Sequence, residues 1–253
     1  MVAAAKDFLK IYWPLVLVAF AGLVLTLMLM DPAPPKTIRF AAGSPGGAYY
    51  AYAERYQRLL GEQDVNVTLI QTAGSVENLR LLDEGSADVA LVQGGLATLG
   101  DAESLRSLGG LFHEPFWVFV RDEAGVKDFG QLRDLRMAIG PDGSGTRLLA
   151  LDLQNEFDGV WPAASRNSLT GIAAADALIE GKLDAAAFAA SPDAVYVQTL
   201  LRAPGISLLP FERAEALSRR QPALAAVVLL RGVVDIGADL PAHDVSLVAP
   251  VAQ

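Results

Sequence analysis

The sequence predicts an α/β protein of two lobes preceded by an N-terminal transmembrane helix. Three observations carry this. Residues 11–30, IYWPLVLVAFAGLVLTLMLM, contain no charge. From about Thr37 onward, short β-rich runs alternate with helical segments, the β-α-β order of a largely parallel sheet covered by helices. Past Arg121 the same plan begins again, and two units of roughly a hundred residues fit the length better than one continuous sheet.

The first element is set by the membrane. About 20 apolar residues at a rise of about 1.5 Å match a hydrocarbon core of about 30 Å. Lys6 and Lys10 precede the run and Asp31 follows it, which places residues 1–10 in the cytoplasm and the rest of the chain on the periplasmic or outer side of the inner membrane. Tyr12 and Trp13 fall at the interface. A cleaved signal peptide has an apolar core of about 7 to 15 residues ending in a small-x-small site. TLMLMDPAPP has no clear site of that kind, so the expectation is an uncleaved anchor over 11–30. Residues 31–37, with three prolines, cannot continue a helix and form an extended stalk.

In the first unit, IRFAAG is a strand followed by a helix from about Ala48 to Leu60. VNVTLIQT is followed by a helix from about Val76 to Glu84, and ADVALVQ by a break. LRSLGGLFHEPFWVFVR, residues 105–121, reads as two strands with HEP between them. The second unit opens with RMAIG and a helix from about Thr146 to Phe157. A strand near 163–169, a helix over Ile172–Glu180, the run LDAAAFAA and a helix after SPDA complete it. The units meet near Arg121–Gly130.

Composition removes several classes of function. The formal charge is −9, with no cluster of Lys and Arg, so nucleic acid finds no electrostatic footprint. There is no cysteine, which excludes disulfides and thiolate chemistry. His113 and His243 are the only imidazoles, no G-x-S-x-G elbow occurs, and the two histidines have no metal spacing. The carboxylates are scattered over helical faces, a pattern of solvated surface. The expectation is a protein that is not an enzyme and uses neither metal nor cofactor.

What remains is a pair of glycine turns. AGSPGGAYY follows the first strand of the first unit, and GPDGSGTR follows the first strand of the second. Each lies between the carboxyl end of a strand and the start of a helix, where free N–H groups and the positive end of the dipole point outward. Open α/β sheets bind ligands beyond those strand ends. Two such turns facing each other across a cleft would hold a small anion from both sides. Neither has the Gly-Lys-Ser/Thr of a P-loop or the G-x-G-x-x-G of a dinucleotide fold.

The candidate contacts are Ser44, Gly46 and Gly47 in the first turn, and Ser144, Gly145, Thr146 and Arg147 in the second. Tyr49 and Tyr50 open the first helix, one offering a hydroxyl to the cleft and the other facing the core. Arg147 is either a fork for a carboxylate or a solvated surface group. Ser75, in TAGSVENLRLL, either caps the N–H groups near Asn78 or shares the rim with Ser44. Gln93 ends a strand, either as a contact or as a turn hydrogen bond.

AGSPGGAYY, TAGSVENLRLLDEGSADVALVQ, LFHEPFWVFVR, LRMAIGPDGSGTR and LDAAAFAASPDAV, in that order, resemble motifs of the TAXI solute-binding subunits of TRAP transporters. The likeness spans nearly all of 38–253. It implies a two-lobed, type II periplasmic binding protein-like fold, with DVSLVAPVAQ returning to the first domain, so that 38–121 with 235–253 make one lobe and 122–234 the other. It also implies capture of a small organic anion, an amino acid or a keto or dicarboxylate, for delivery to the integral membrane subunits of a sodium-coupled transporter. By the same resemblance the first glycine turn with Tyr49 and Tyr50, Ser75, Gln93, and Ser144, Gly145 and Thr146 face the ligand. Two departures stand out: LDAAAFAASP has Ala and Ser where the family often has glycine, and more chain normally follows the DVSLVAPVAQ strand. The alternative function is a ligand-sensing ectodomain reporting to a membrane partner; about ten residues precede the helix, too few for a signalling domain of its own.

Overall fold

The computed structural model describes residues 2–29, 35–96, 105–157, 162 and 165–253. The chain divides into two compact units, Met1–Lys36 and Thr37–Gln253. In the first, helix α1 runs Val2–Leu29 with Pro14 inside it. It begins ahead of the apolar run because VAAAKDFLK is rich in good helix formers. Among the described residues no helix is long and apolar enough to cross a membrane. The described side chains of α1 run only from Tyr12 to Met28, so the span expected at 11–30 passes beyond them at both ends. Of the stalk expected at 31–37, residues 31–34 lie outside the described residues.

The second unit opens with strands β1 (Thr37–Gly43), β2 (Asn66–Gln71) and β3 (Val89–Ala90), a parallel sheet in the order β2-β1-β3. Helices α2 (Ala48–Gly61) and α3 (Ser75–Asp83) connect them. Phe40, Ala42, Ala53, Val67 and Leu91 form the core of this sheet. Strand β4 (Phe112–His113) follows, and then β5 (Phe116–Arg121).

The remaining elements are β6 (Met137–Ala138), α4 (Gly145–Glu156), β7 (Arg166–Asn167), α5 (Gly171–Ile179), β8 (Ala185–Ala189), α6 (Val195–Arg202), β9 (Ile206–Leu208), α7 (Ala214–Arg220), β10 (Leu224–Leu229) and β11 (Val245–Ala252). Four of these strands join β5 in a mixed sheet in the order β7-β6-β8-β5-β9. Its centre is a match of sizes. The large side chains of FWVFVR in β5 face the small ones of AAAFA in β8, with Val118 opposite Ala187 and Phe119 opposite Ala186, which lets the layer pack without voids. Trp117 is buried and its Nε1–H donates to the Ala190 carbonyl at 2.9 Å.

The repeat of plan has a matching pair of side chains. Arg39 in IRFAAG grips Asp88, with Nη2 2.6 Å from Oδ1, and Arg136 in LRMAIG grips Asp184 at the same distance. In each case the aspartate also accepts the backbone N–H of its arginine. One strand edge is thus tied to the next in both halves of the unit.

The long expected helices appear within a residue of their anticipated bounds, the usual latitude of helix ends. Of the strand expected near 163–169, only Arg166–Asn167 pairs, and residues 163 and 164 lie outside the described residues. The division after Arg121 is corrected by the pairing. β5 sits between β8 and β9 in the second sheet, so the chain passes between sheets at Glu114–Pro115. The stretch DEAGVKDFG had the look of a boundary because it is polar and glycine-bearing, whereas FWVFVR is a central strand buried on both faces. The return is also later than residue 235. Val245, Leu247 and Val248 are buried with the second sheet, while Val251 and Ala252 pair with β4 and Ala252 bridges to Gln93. The two passages touch, the Glu114 N–H donating to the Pro250 carbonyl at 2.9 Å.

Candidate functional site

The second glycine turn, Gly140–Ser144, is held by its own side chains. Gly140 has φ +86°, and a Cβ there would lie 2.7 Å from the Ser144 Oγ, so no other residue fits without displacing that hydroxyl. Ser144 is the N-cap of α4. Its Oγ accepts the Arg147 N–H at 3.2 Å and donates to the Pro141 carbonyl at 2.8 Å. Arg147 folds back on the same turn, donating to the Gly140 carbonyl and pairing with Asp142 at 2.8 Å. The guanidinium is partly buried and held by the loop that carries it. Thr146 ties α4 to the sheet, its Oγ1 accepting the Ala189 N–H at 3.0 Å.

The turn packs on the start of α3. A Cβ on Gly145 would stand 2.5 Å from the Gln93 Oε1 and 3.1 Å from the Ser75 Oγ, so the absence of a side chain at Gly145 permits the approach. The Gly143 carbonyl accepts the N–H groups of Val76 at 3.2 Å and Glu77 at 3.3 Å, two donors that no residue of α3 could satisfy. Leu148 of α4 packs against Leu79, Val92 and Leu96. In the first turn, Ser44 and Gly46 are exposed, and a Cβ on Gly46 would meet nothing within 4 Å. Gly47 is the N-cap residue of α2. These three residues set the entry of α2.

Ser75 does not cap Asn78, whose N–H goes to the Gly74 carbonyl at 2.9 Å. Its Oγ accepts the Gln93 N–H at 3.0 Å and donates to the Tyr49 hydroxyl at 3.4 Å. Both Ser75 and Gln93 are buried. Of the two tyrosines, Tyr49 brings its hydroxyl to this cluster and Tyr50 packs on the first core. Beneath them a second polar group fixes the rim: buried Asn78 donates to the Leu91 carbonyl at 2.7 Å and accepts from Thr72 at 2.5 Å, while Thr72 accepts the Gly43 N–H at 3.1 Å. The ends of β1 and β3 are thereby pinned to α3.

Two residues of the cluster escaped the sequence reading. Glu114, 4% exposed, accepts the Tyr49 hydroxyl at 2.5 Å. Burial pushes its carboxyl up to about 7, and the Tyr49 hydrogen bond opposes that rise. Tyr196 of α6 is pushed up to about 12 by burial and then by the charge of Glu114. The Tyr49 phenol is raised well above its ordinary value by burial, by the charge of Glu114 and by its hydrogen bond to it, with Ser75 opposing. The available signal was HEP, a carboxylate flanked by proline between two apolar strands.

The cluster therefore offers helix-start donors, hydroxyls, an amide side chain and one buried carboxyl. Both histidines are exposed, and among the described residues no group of His, Asp and Glu could hold a metal.

Residues 40–239 match the NMT1-like family along most of the chain. The chain belongs to that family. Solved structures similar to this NMT1-like protein include the alkanesulfonate-binding protein SsuA from Xanthomonas axonopodis pv. citri bound to MOPS, at 19% identity and TM-score 0.51, over 70% of this chain and 61% of that one. PhnD1 from Prochlorococcus marinus in complex with methylphosphonate matches at 16% identity and TM-score 0.51, over 69% of this chain and 72% of that one. A protein from Bordetella bronchiseptica matches at 18% identity and TM-score 0.55, over 87% of this chain and 65% of that one. The NMT1-like chain thus spans less than two thirds of the length of the first and third. At these identities the likeness is one of fold, an α/β, two-lobed, periplasmic binding protein-like architecture.

Proposed function

We propose that residues 37–253 form an extracytoplasmic solute-binding protein of the TAXI type. It captures a small organic anion, an amino acid or a keto or dicarboxylate, between its lobes and delivers it to the integral membrane subunits of a TRAP-type secondary transporter. Residues 11–30 serve as a single-pass anchor in the inner membrane. The lobes are those of the two main sheets, joined at Glu114–Pro115 and near Pro250, and they move about those passages as hinged binding proteins do.

The observation that carries this reading is the approach of Gly145 to Ser75 and Gln93. It brings two helix starts and two strand ends from different sheets to one place, where open α/β folds bind ligands. The donors at α3 already hold an oxygen, the Gly143 carbonyl, in the position an anion would take. Five ordered motifs support the TAXI assignment. The uncharged run at 11–30 and the 28 residues of α1 support the anchor.

The test is thermal denaturation with a panel of amino acids, dicarboxylates and keto acids. A ligand at 100 times its dissociation constant stabilises the native state by about 2.7 kcal/mol, several degrees for a domain of this size. Gly145→Val fills the space beside Gln93 and is expected to abolish that shift. A flat panel on folded protein overturns the binding reading. Carbonate extraction of membranes tests the anchor, and co-purification with transporter subunits tests delivery.

A further inference from the structure

We propose that Glu114 receives the ammonium group of a zwitterionic α-amino acid whose carboxylate lies at the starts of α3 and α4. This rests on the binding reading above and narrows its ligand class, setting amino acids apart from keto acids and dicarboxylates.

The argument starts from a carboxyl group without a counter-ion. Burying a carboxylate costs several kcal/mol unless it is paired, and folded chains therefore pair such groups or replace them. Glu114 is buried and, among the described residues, makes no salt bridge; its hydrogen-bond partner is the Tyr49 hydroxyl. Its ionisable neighbours are Tyr49 from α2 and Tyr196 from α6, while His113 beside it in the chain is exposed. Among the described residues no positive charge acts on it.

The location of Glu114 identifies what would. From Ser75 at the start of α3, one hydrogen bond of 3.4 Å leads to Tyr49 and a second of 2.5 Å leads to Glu114. The carboxylate and ammonium of an α-amino acid are separated by about 3 Å. A single such ligand can place its anion at the helix start and its cation against Glu114. A keto acid or dicarboxylate would set a second negative charge beside a buried carboxyl with no compensation, which disfavours it.

The sign of the pH dependence separates the two classes. The Glu114 carboxyl titrates at about 7 in the unliganded protein. An ammonium ligand competes with the proton on that carboxyl, so its affinity rises by up to about tenfold per pH unit as pH increases towards 7 and levels off above it. A ligand with only carboxylates prefers the protonated Glu114 and shows the opposite slope.

The experiment is calorimetric titration of the full chain, in detergent micelles, between pH 5.5 and 8.5. The probes are alanine, leucine and glutamate, each paired with the 2-oxo acid of the same skeleton. The expected result is binding by one amino acid at least about thirtyfold tighter than its 2-oxo acid, with affinity rising through pH 7. Glu114→Gln is expected to weaken that amino acid by about thirtyfold or more and to flatten the slope. Equal or tighter binding of the 2-oxo acid, or affinity that falls as pH rises, overturns the ammonium assignment and leaves anion binding standing. Binding by none of the probes to folded protein overturns both. The wild-type pH slope decides the matter even if Glu114→Gln does not fold.

Discussion

The carbonyl oxygen of Gly143 lies 3.2 Å from the amide nitrogen of Val76 and also takes the N–H of Glu77. A peptide oxygen from the second glycine turn thus occupies the positive end of α3. An anion arriving there has to displace it, so ligand affinity is measured against this internal contact as well as against water.

Gly143→Ala tests how much the contact depends on the shape of the turn. Gly143 has φ +85°, and a Cβ there would meet Ala73 and Glu77 at ordinary contact distance. The strain is therefore one of backbone, about 1 to 2 kcal/mol. Urea denaturation of the variant should show a loss of that size, and the amides of Val76 and Glu77 should exchange faster with deuterium.

Glu114 gives the fold a pH dependence of definite sign. Its folded pKa, about 7, lies above the ordinary carboxyl value of 4.5, so the folded chain holds a proton that the unfolded chain releases. Stability from this group is full below about 4.5, falls as pH rises towards 7 and is flat beyond. The loss is on the order of 3 kcal/mol. Glu114→Gln should abolish it, so the difference in unfolding free energy between variant and wild type should grow in the variant's favour from pH 4 to pH 8. A difference independent of pH would show that Glu114 is solvated in the native state.

Tyr49→Phe removes the one hydroxyl that bonds the Glu114 carboxyl. Without that donor the carboxylate is harder to form, and the titration of Glu114, followed by carboxyl NMR shifts, should move above 7. The buried hydrogen bond is worth about 1 to 3 kcal/mol because its acceptor is charged. Thermal denaturation at pH 8 should show the larger cost and at pH 5 the smaller.

Ser144→Ala removes the cap of α4 and takes one of two donors from the Pro141 carbonyl, which keeps the Ser144 backbone N–H. The expected loss is about 1 kcal/mol, read from the midpoint of urea unfolding. The response to ligand should weaken as well, since α4 begins at Gly145, beside Ser75 and Gln93.

The long helices were legible in the sequence because their apolar spacing and glycine starts are local signals. So was the doubled plan, although the matching arginines of IRFAAG and LRMAIG show their shared role only through Asp88 and Asp184. The place where the chain changes sheets was not. FWVFVR reads as a strand in any position, and only its pairing with β8 and β9 assigns it. In the candidate cluster, the structure brings together Ser75, Gln93, Tyr49 and Gly145, which the sequence marks by their places at strand ends and helix starts. That the second turn packs on the start of α3 was not legible, because which rims meet depends on how the two sheets pack, which no spacing encodes. Glu114 was missed for a related reason. A carboxylate in a polar triplet looks solvated, and its burial follows from Tyr49 and Pro250, residues far away in the chain.

The passages between the sheets each contain a proline, Pro115 and Pro250. Proline fixes its own φ near −65° and confines the residue before it to extended conformations. Glu114 and Ala249 are therefore stiffened along with the prolines that follow them. In the hinge proposed above, two such stiff straps lying side by side would favour a single swing axis over twisting.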